Sequence, residues 1–166
     1  MNNMRRGFTM IELIFVIVII GILAAVAIPK LSATRDDAKI SSIVANTRTI
    51  VEDVKNYYTS QGEANYLGAS VTAITDVPLF KDTTCGTQAT STDTFAGTKL
   101  YICDDAKDVL DITSTKKAGS AQTITLKQGS STSTIATALK KDKVFQALTN
   151  GTTGKTTTLG GSRVVR

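Results

Sequence analysis

Hydrophobic and polar positions divide the chain into three regimes. Residues 13–28 read LIFVIVIIGILAAVAI, an apolar run with no polar face. Counted from Phe8, the segment is about 20 residues long, enough to cross the ~30 Å core of a bilayer as a helix. Glu12 is the one charge inside it. A carboxylate at membrane depth costs about 2.5–3.5 kcal/mol on insertion scales, so it is expected to have a partner and a task. Pro29 lacks a backbone donor and Gly21 is a weak helix former, so the helix is expected to kink or loosen at these two residues. Beyond Pro29 the pattern changes. Leu31, Ile40, Ile43, Val44, Thr47, Ile50, Val51, Val54, Tyr57 and Tyr58 fall on one helical stripe, with Lys39, Ser42, Asn46, Arg48, Glu52, Asp53 and Lys55 around it. This predicts an amphipathic continuation over residues 30–61, stopped at Gln61-Gly62.

The third regime has shorter periods. Residues 63–80 read as a connecting loop, in which Val77-Pro78-Leu79-Phe80 is an extended piece suited to covering a core. Residues 83–98 are rich in threonine, serine and glycine. Three strands are then predicted, at 100–103, 109–113 and 123–127, with turns at 104–107 and 116–119. Ser133-Thr134 caps a second amphipathic helix whose buried face would be Ile135, Leu139, Phe145 and Leu148, and Asn150-Gly151 ends it. The remaining residues, 152–166, are polar apart from Val164-Val165, a candidate edge strand. An antiparallel meander laid on the amphipathic helix buries both apolar faces. The expected class is therefore α+β: a long N-terminal helix packed on a small antiparallel sheet, with a second short helix near 134–149.

The residues that open the apolar run narrow the reading. Arg5-Arg6 precede Gly7-Phe8-Thr9-Met10-Ile11-Glu12. A short basic leader, the glycine–phenylalanine junction, glutamate four residues later, the apolar helix and Pro29 at its end together resemble the type IV pilin and type II secretion pseudopilin superfamily. The resemblance covers residues 5–30 and extends by helical pattern alone to about 61; residues 62–166 resemble no family.

The resemblance implies a processing pathway and a set of partners. A membrane-embedded prepilin peptidase and methyltransferase would cut between Gly7 and Phe8 and methylate the new amino terminus at Phe8. Glu12 would set the register of one subunit against its neighbour, and breaks near Gly21 and Pro29 would accompany packing into a filament. The chain would divide into a leader (1–7), a membrane and filament-core helix (8–29), its amphipathic continuation (30–61) and a head (62–166). The head would lie in the periplasm and the N-terminus in the cytoplasm of a single-pass bacterial inner-membrane protein, until assembly with copies of itself and related subunits on an inner-membrane platform. The chemistry is compatible with this. Cleavage creates an ammonium at Phe8, and a carboxylate from an adjacent subunit that pairs with it lowers the cost of both charges. Glycine before the cut lets an enzyme approach the backbone closely. Three functions compete: a structural pseudopilin of a type II secretion system, placed first; a pilin of a surface pilus for adhesion, motility or DNA uptake; and an unrelated membrane-anchored binding protein.

Plainer readings of the same residues are an ordinary secretory signal, for which Ala25-Val26-Ala27 supplies a cleavage pattern, and a simple anchor. Neither accounts for Glu12 or for the Gly7-Phe8 junction. Arg5 and Arg6 favour a cytoplasmic N-terminus, but Lys30, Arg35 and Lys39 flank the other end, so charge alone does not set orientation.

Composition excludes more than it adds. The net charge is +5 and dispersed, which argues against nucleic acid as a partner. There is no histidine, so the commonest general base and metal ligand is missing, and the chain is not expected to be an enzyme or to hold a cofactor. Asp104, Asp105, Asp108 and Asp111 form an acidic group of the ligand type calcium takes, but the spacing fits no loop motif and solvated turns are the plainer reading. Gly154-Lys155-Thr156 lacks the preceding glycine of a phosphate loop, since position 149 is threonine. Asn150-Gly151-Thr152 is formally a glycosylation sequon and equally a turn. Lys140, Lys141 and Lys143 read as a solvated helix face. Cys85 and Cys103 lie in the part expected to be exported, where such a pair forms a disulfide.

Overall fold

The computed structural model describes residues 8–160. Its elements run α1 (Met10–Gly68), α2 (Val71–Ile74), β1 (Lys99–Asp104), β2 (Lys107–Ser114), β3 (Gln122–Gln128), α3 (Thr134–Leu139), α4 (Lys143–Thr149) and β4 (Lys155–Leu159). The strands form one antiparallel sheet in the order β1-β2-β3-β4. The fold is α+β, as the sequence predicts. Two compact units divide the chain, one up to Ala38 and one from Lys39 onward.

The first unit carries the apolar half of α1. Helical φ/ψ runs through Gly21 and Pro29, and within α1 only Gly62 leaves it. Pro29 lies inside the helix, where it removes one backbone hydrogen bond. Leu31, assigned to the buried stripe from its spacing, is 69% exposed.

The second unit is built around the amphipathic half of α1. Ile43, Thr47, Ile50 and Val54 are buried, with Ile40, Val44, Val51, Tyr57 and Tyr58 packed at the edge of the same core. Thr47 is accommodated there because its hydroxyl donates to the Ile43 carbonyl at 2.7 Å. Alternate strand residues supply the other side of the core: Leu100 and Ile102, Leu110 and Ile112, Ile124 and Leu126. Burying these side chains contributes about 1.5–3 kcal/mol each before entropy is subtracted.

The region after Gly62 is more regular than its sequence implies. Gly62 has φ 76° and ψ 173°, so the chain turns there as a stop signal should, but helix resumes and carries on to Gly68. Tyr66 in this extra turn is fully buried, packs edge-on against Tyr58 at 5.4 Å between centroids and shares a hydrogen bond with the Ser114 hydroxyl. Its apolar ring outweighs the stop signal. Residues 63–80 are thus not a plain loop. Leu79 does cover the core, with 1% exposure, and Phe80 bridges both Tyr101 and Gln88.

The second helix of the sequence reading is two helices. Ser133 Oγ accepts from the Ala136 N–H at 3.1 Å and Asp142 Oδ1 from the Phe145 N–H at 2.7 Å, so each short helix has its own N-cap. The Asp142 cap interrupts what spacing alone would join. Leu148 is half-buried, whereas Ile135, Leu139 and Phe145 are buried. Asn150 and Gly151 both have positive φ, which ends α4. The edge strand is Lys155–Leu159, paired with β3, so Gly154-Lys155-Thr156 is the entry to a strand. The pair proposed for that role, Val164-Val165, lies outside the described residues, as do Arg5, Arg6 and Gly7.

Candidate functional site: the N-terminal segment and the head surface

In the first unit, Phe8 is 84% exposed, and every residue from Met10 to Ile28 is exposed apart from the half-buried Ala24. The helix is long and apolar enough to cross a membrane. Its start is set by a reciprocal cap. Thr9 Oγ1 donates to Glu12 Oε2 at 2.7 Å, and the Thr9 N–H donates to the same oxygen at 2.8 Å. The Glu12 N–H returns a bond to Thr9 Oγ1 at 3.3 Å. This is the Ser/Thr-x-x-Glu capping box, which satisfies two of the backbone donors that a helix start leaves open. The sequence reading noted Glu12 but missed its local partner; a threonine three residues before a glutamate, ahead of an apolar run, is the signal that identifies it. Oε1 of Glu12 makes no hydrogen bond with the described residues.

In the second unit, Cys85 and Cys103 are joined, with Cα atoms 6.1 Å apart and 18 residues between them in sequence. The bond ties the 81–98 segment to β1. Asp82 shapes the start of that segment, accepting from the Thr84 hydroxyl at 2.6 Å and from the Gly86 and Thr87 N–H groups at 3.0 and 2.8 Å. The Thr84 hydroxyl first, and then the Gly86 N–H, holds the Asp82 carboxyl well below its ordinary 3.8. Asp93 plays the same part at the other end. Its carboxyl is held down first by the Thr90 N–H and then by Lys81.

The four aspartates of the acidic group are scattered among different partners. Asp104 and Asp105 take opposite sides of Lys39, at 3.0 and 3.1 Å, and Asp104 first and Asp105 second raise that ammonium's pKa. Asp108 is buried and accepts from the Ser130 N–H at 2.7 Å, holding the β3–α3 connection. Asp111 pairs with Lys99 at 3.2 Å, and that ammonium also lies 5.1 Å from the Tyr101 ring centroid. Among the described residues no three acidic or cysteine side chains converge as metal ligands would.

The sheet's outer face over β2, β3 and β4 is a threonine surface. The register aligns Thr113, Thr125 and Thr156 in one row, and Thr123 and Thr158 in the next, with Thr115 beside Thr123. Thr125 and Thr156 hydroxyls lie 2.9 Å apart. The face presents hydroxyls, with Lys99, Asp111 and Lys127 beside the threonine rows.

Comparison with known proteins bears on the N-terminal part first. The family described as "Prokaryotic N-terminal methylation motif" matches residues 2–28. The chain is 39% identical over 79 residues to a "Fimbrial protein" of Neisseria meningitidis serogroup A, covering 46% of each chain. It is 40% identical over 63 residues to the "Type IV major pilin protein PilE1" of Neisseria gonorrhoeae, covering 38% of each. It is 34% identical over 94 residues to the "Type IV major fimbrial protein FimA" of Dichelobacter nodosus, covering 55% of this chain and 57% of that one. The chain thus spans about half the length of the curated relatives it matches. No solved structure matches it. The methylation motif at residues 2–28 and these relatives support the type IV pilin superfamily for this chain, which resembles its members over part of their length.

Proposed function

We propose that this chain is a structural subunit of a surface type IV pilus, cleaved between Gly7 and Phe8, methylated at Phe8 and polymerised through the apolar half of α1. It is a building element and not an enzyme. The observation that carries the reading is the exposed apolar helix opened by Thr9 and Glu12. An apolar helix exposed all round is stable in lipid or against copies of itself, and not in water. The names of the relatives, a fimbrial protein and major pilins, favour a pilus over the secretion pseudopilin that the sequence alone placed first.

The capping box suggests how a subunit carries its charge into the membrane. Thr9 satisfies Glu12 Oε2 within the chain, so part of the cost of the carboxylate is met before any partner arrives. Oε1 is left to accept from a second group. The ammonium created at Phe8 by cleavage is that group, donated by a neighbouring subunit in the filament. Transfer from lipid to filament then exchanges lipid contacts for helix packing and a charge pair. The same pathway places the unassembled subunit in the inner membrane with its head in the periplasm, where the Cys85–Cys103 bond persists.

Mass analysis of the N-terminus, on protein from its native membrane, tests the pathway. A chain starting at methylated Phe8 supports it, and one starting at Met1 overturns it. Fibres sheared from the cell surface that contain this chain support the pilus. Loss of secreted proteins on deletion, without surface fibres, would instead favour the secretion system.

A further inference from the structure

An open cleft of about 570 Å³ lies between the end of β3, the start of α4 and the turn after it. Its size suits a ligand of one or two sugar rings. Gln128 lines it, and its backbone N–H donates to the Gly151 carbonyl at 3.2 Å, which joins the end of β3 to the turn after α4. Gln146 and Asn150 add two further carboxamides and Thr152 a hydroxyl.

The charge of the cleft has one sign. Lys140 and Lys143 line it, and no acidic side chain does. Lys140 is held in place, because its Nζ donates to the Ser131 carbonyl at 2.7 Å and its own carbonyl accepts from Gln146 Nε2 at 2.6 Å. Lys143 has no ion pair among the described residues. Carboxamides donate and accept at neighbouring positions, which matches the adjacent hydroxyls of a sugar, and an ammonium matches a carboxylate. No aromatic ring lines the cleft, so stacking of nucleobases is not provided for.

We propose that this cleft binds an acidic saccharide, a hexuronate unit within a polysaccharide chain. The carboxylate is held by Lys143 and Lys140, and the ring hydroxyls by Gln128, Gln146 and Asn150. The site lies in the head and does not depend on assembly into filaments.

Calorimetric titration of the full chain in detergent micelles tests this, with a galacturonate trisaccharide as probe. A neutral galactose trisaccharide, galacturonic acid, inorganic phosphate and a short single-stranded DNA are the comparators. The uronate trisaccharide is expected to bind about tenfold more tightly than the neutral one, a difference of about 1.4 kcal/mol. Lys143→Gln, at an exposed position that leaves the core untouched, is expected to weaken it about five- to tenfold, and Gln128→Leu to weaken the neutral and acidic sugars alike. Lys141→Gln, on a lysine that does not line the cleft, should change nothing. If the free monosaccharide binds as well as the trisaccharide, the ligand is a small sugar acid and the polysaccharide assignment is overturned. Equal binding of phosphate or DNA, equal affinity of the neutral sugar, an unchanged Lys143→Gln protein, or no heat with any probe would each overturn the site. None of these results bears on cleavage at Gly7 or on fibre formation, so the two readings fail separately.

Discussion

Removing the Cys85–Cys103 bond should lower the stability of the head by about 3 kcal/mol. The figure follows from the 18-residue separation of the two cysteines, since a cross-link of that span removes about 3 kcal/mol of loop-closure entropy from the unfolded chain. The folded segment has other anchors and should survive the loss. Ala89 and Phe95 are buried, the Ala89 N–H donates to the Leu79 carbonyl at 2.8 Å, and Asp82 and Asp93 organise the two ends. The effect therefore falls mainly on the unfolded state, and the reduced protein should still fold. For a unit of this size, 3 kcal/mol corresponds to a fall in Tm of roughly 10–15 °C. The assay is thermal unfolding of the full chain in micelles, followed by near-ultraviolet circular dichroism, for the oxidised protein, the reduced protein and the Cys85→Ser/Cys103→Ser double variant. The reduced and double-serine curves should coincide at the lower Tm. A shift below about 2 °C would refute the argument, because it would mean that the unfolded chain is already as restricted without the bond as with it.

Other consequences can be measured in the same way. Ile50→Ala removes a fully buried side chain on α1 and should cost about 2–5 kcal/mol in urea unfolding, whereas Leu31→Ala, at an exposed position, should leave the head's transition unchanged. Gly62→Ala forces a β-carbon into a backbone region that only glycine enters freely, at a cost of about 1–3 kcal/mol, and protease sensitivity near Gly62 should rise with it. Asp82 has a folded-state pKa below its ordinary 3.8, so its contribution is present above that pH and lost as the pH falls below it; Asp82→Asn should remove part of the acid sensitivity of the head between about pH 4 and pH 2. Thr9→Val should weaken filament assembly while leaving cleavage at Gly7 intact, which quantitative blotting of sheared fibres against processed protein would show.

What the sequence made legible follows from how local each signal is. β3 alternates because one face meets the core, while β1 and β2 are buried over longer runs, and the expected positions agree with β1, β2 and β3 to within two residues. The stripe on α1 is equally plain, because Ile43, Thr47, Ile50 and Val54 lie on one helical face. Misreadings arose where a distant partner outweighs a local rule. Tyr66 keeps helix going past Gly62 because its ring fills the core beside Tyr58 and Phe95. Lys155–Leu159, a run of threonines without an apolar period, becomes a strand because β3 offers it an open edge. Asp142 splits a helix that hydrophobic spacing joins, and its cap was readable in principle. Of the N-terminal segment, the apolar run was legible, but the bond from Thr9 to Glu12 was not read from it. The cleft beside α4 was invisible to pattern, since Gln128, Lys143 and Asn150 meet only when β3 and the turn after α4 are brought together.

The sequential order of the four strands has a consequence for how the head comes into being. β1, β2 and β3 follow one another through short turns and can zip as two hairpins through contacts of low order, whereas β4 reaches β3 only after α3 and α4. The hydrophobic partner of that sheet is different in kind: Ile43, Ile50 and Val54 precede Leu110 and Leu126 by dozens of residues. A chain threaded across a membrane from its anchored end therefore delivers the helix first and its cover last. During that interval the stripe on α1 is bare and the growing sheet has an unpaired margin, the condition under which nascent chains associate wrongly. On the proposed export route, slowed translocation should therefore yield aggregates even where the finished protein is stable.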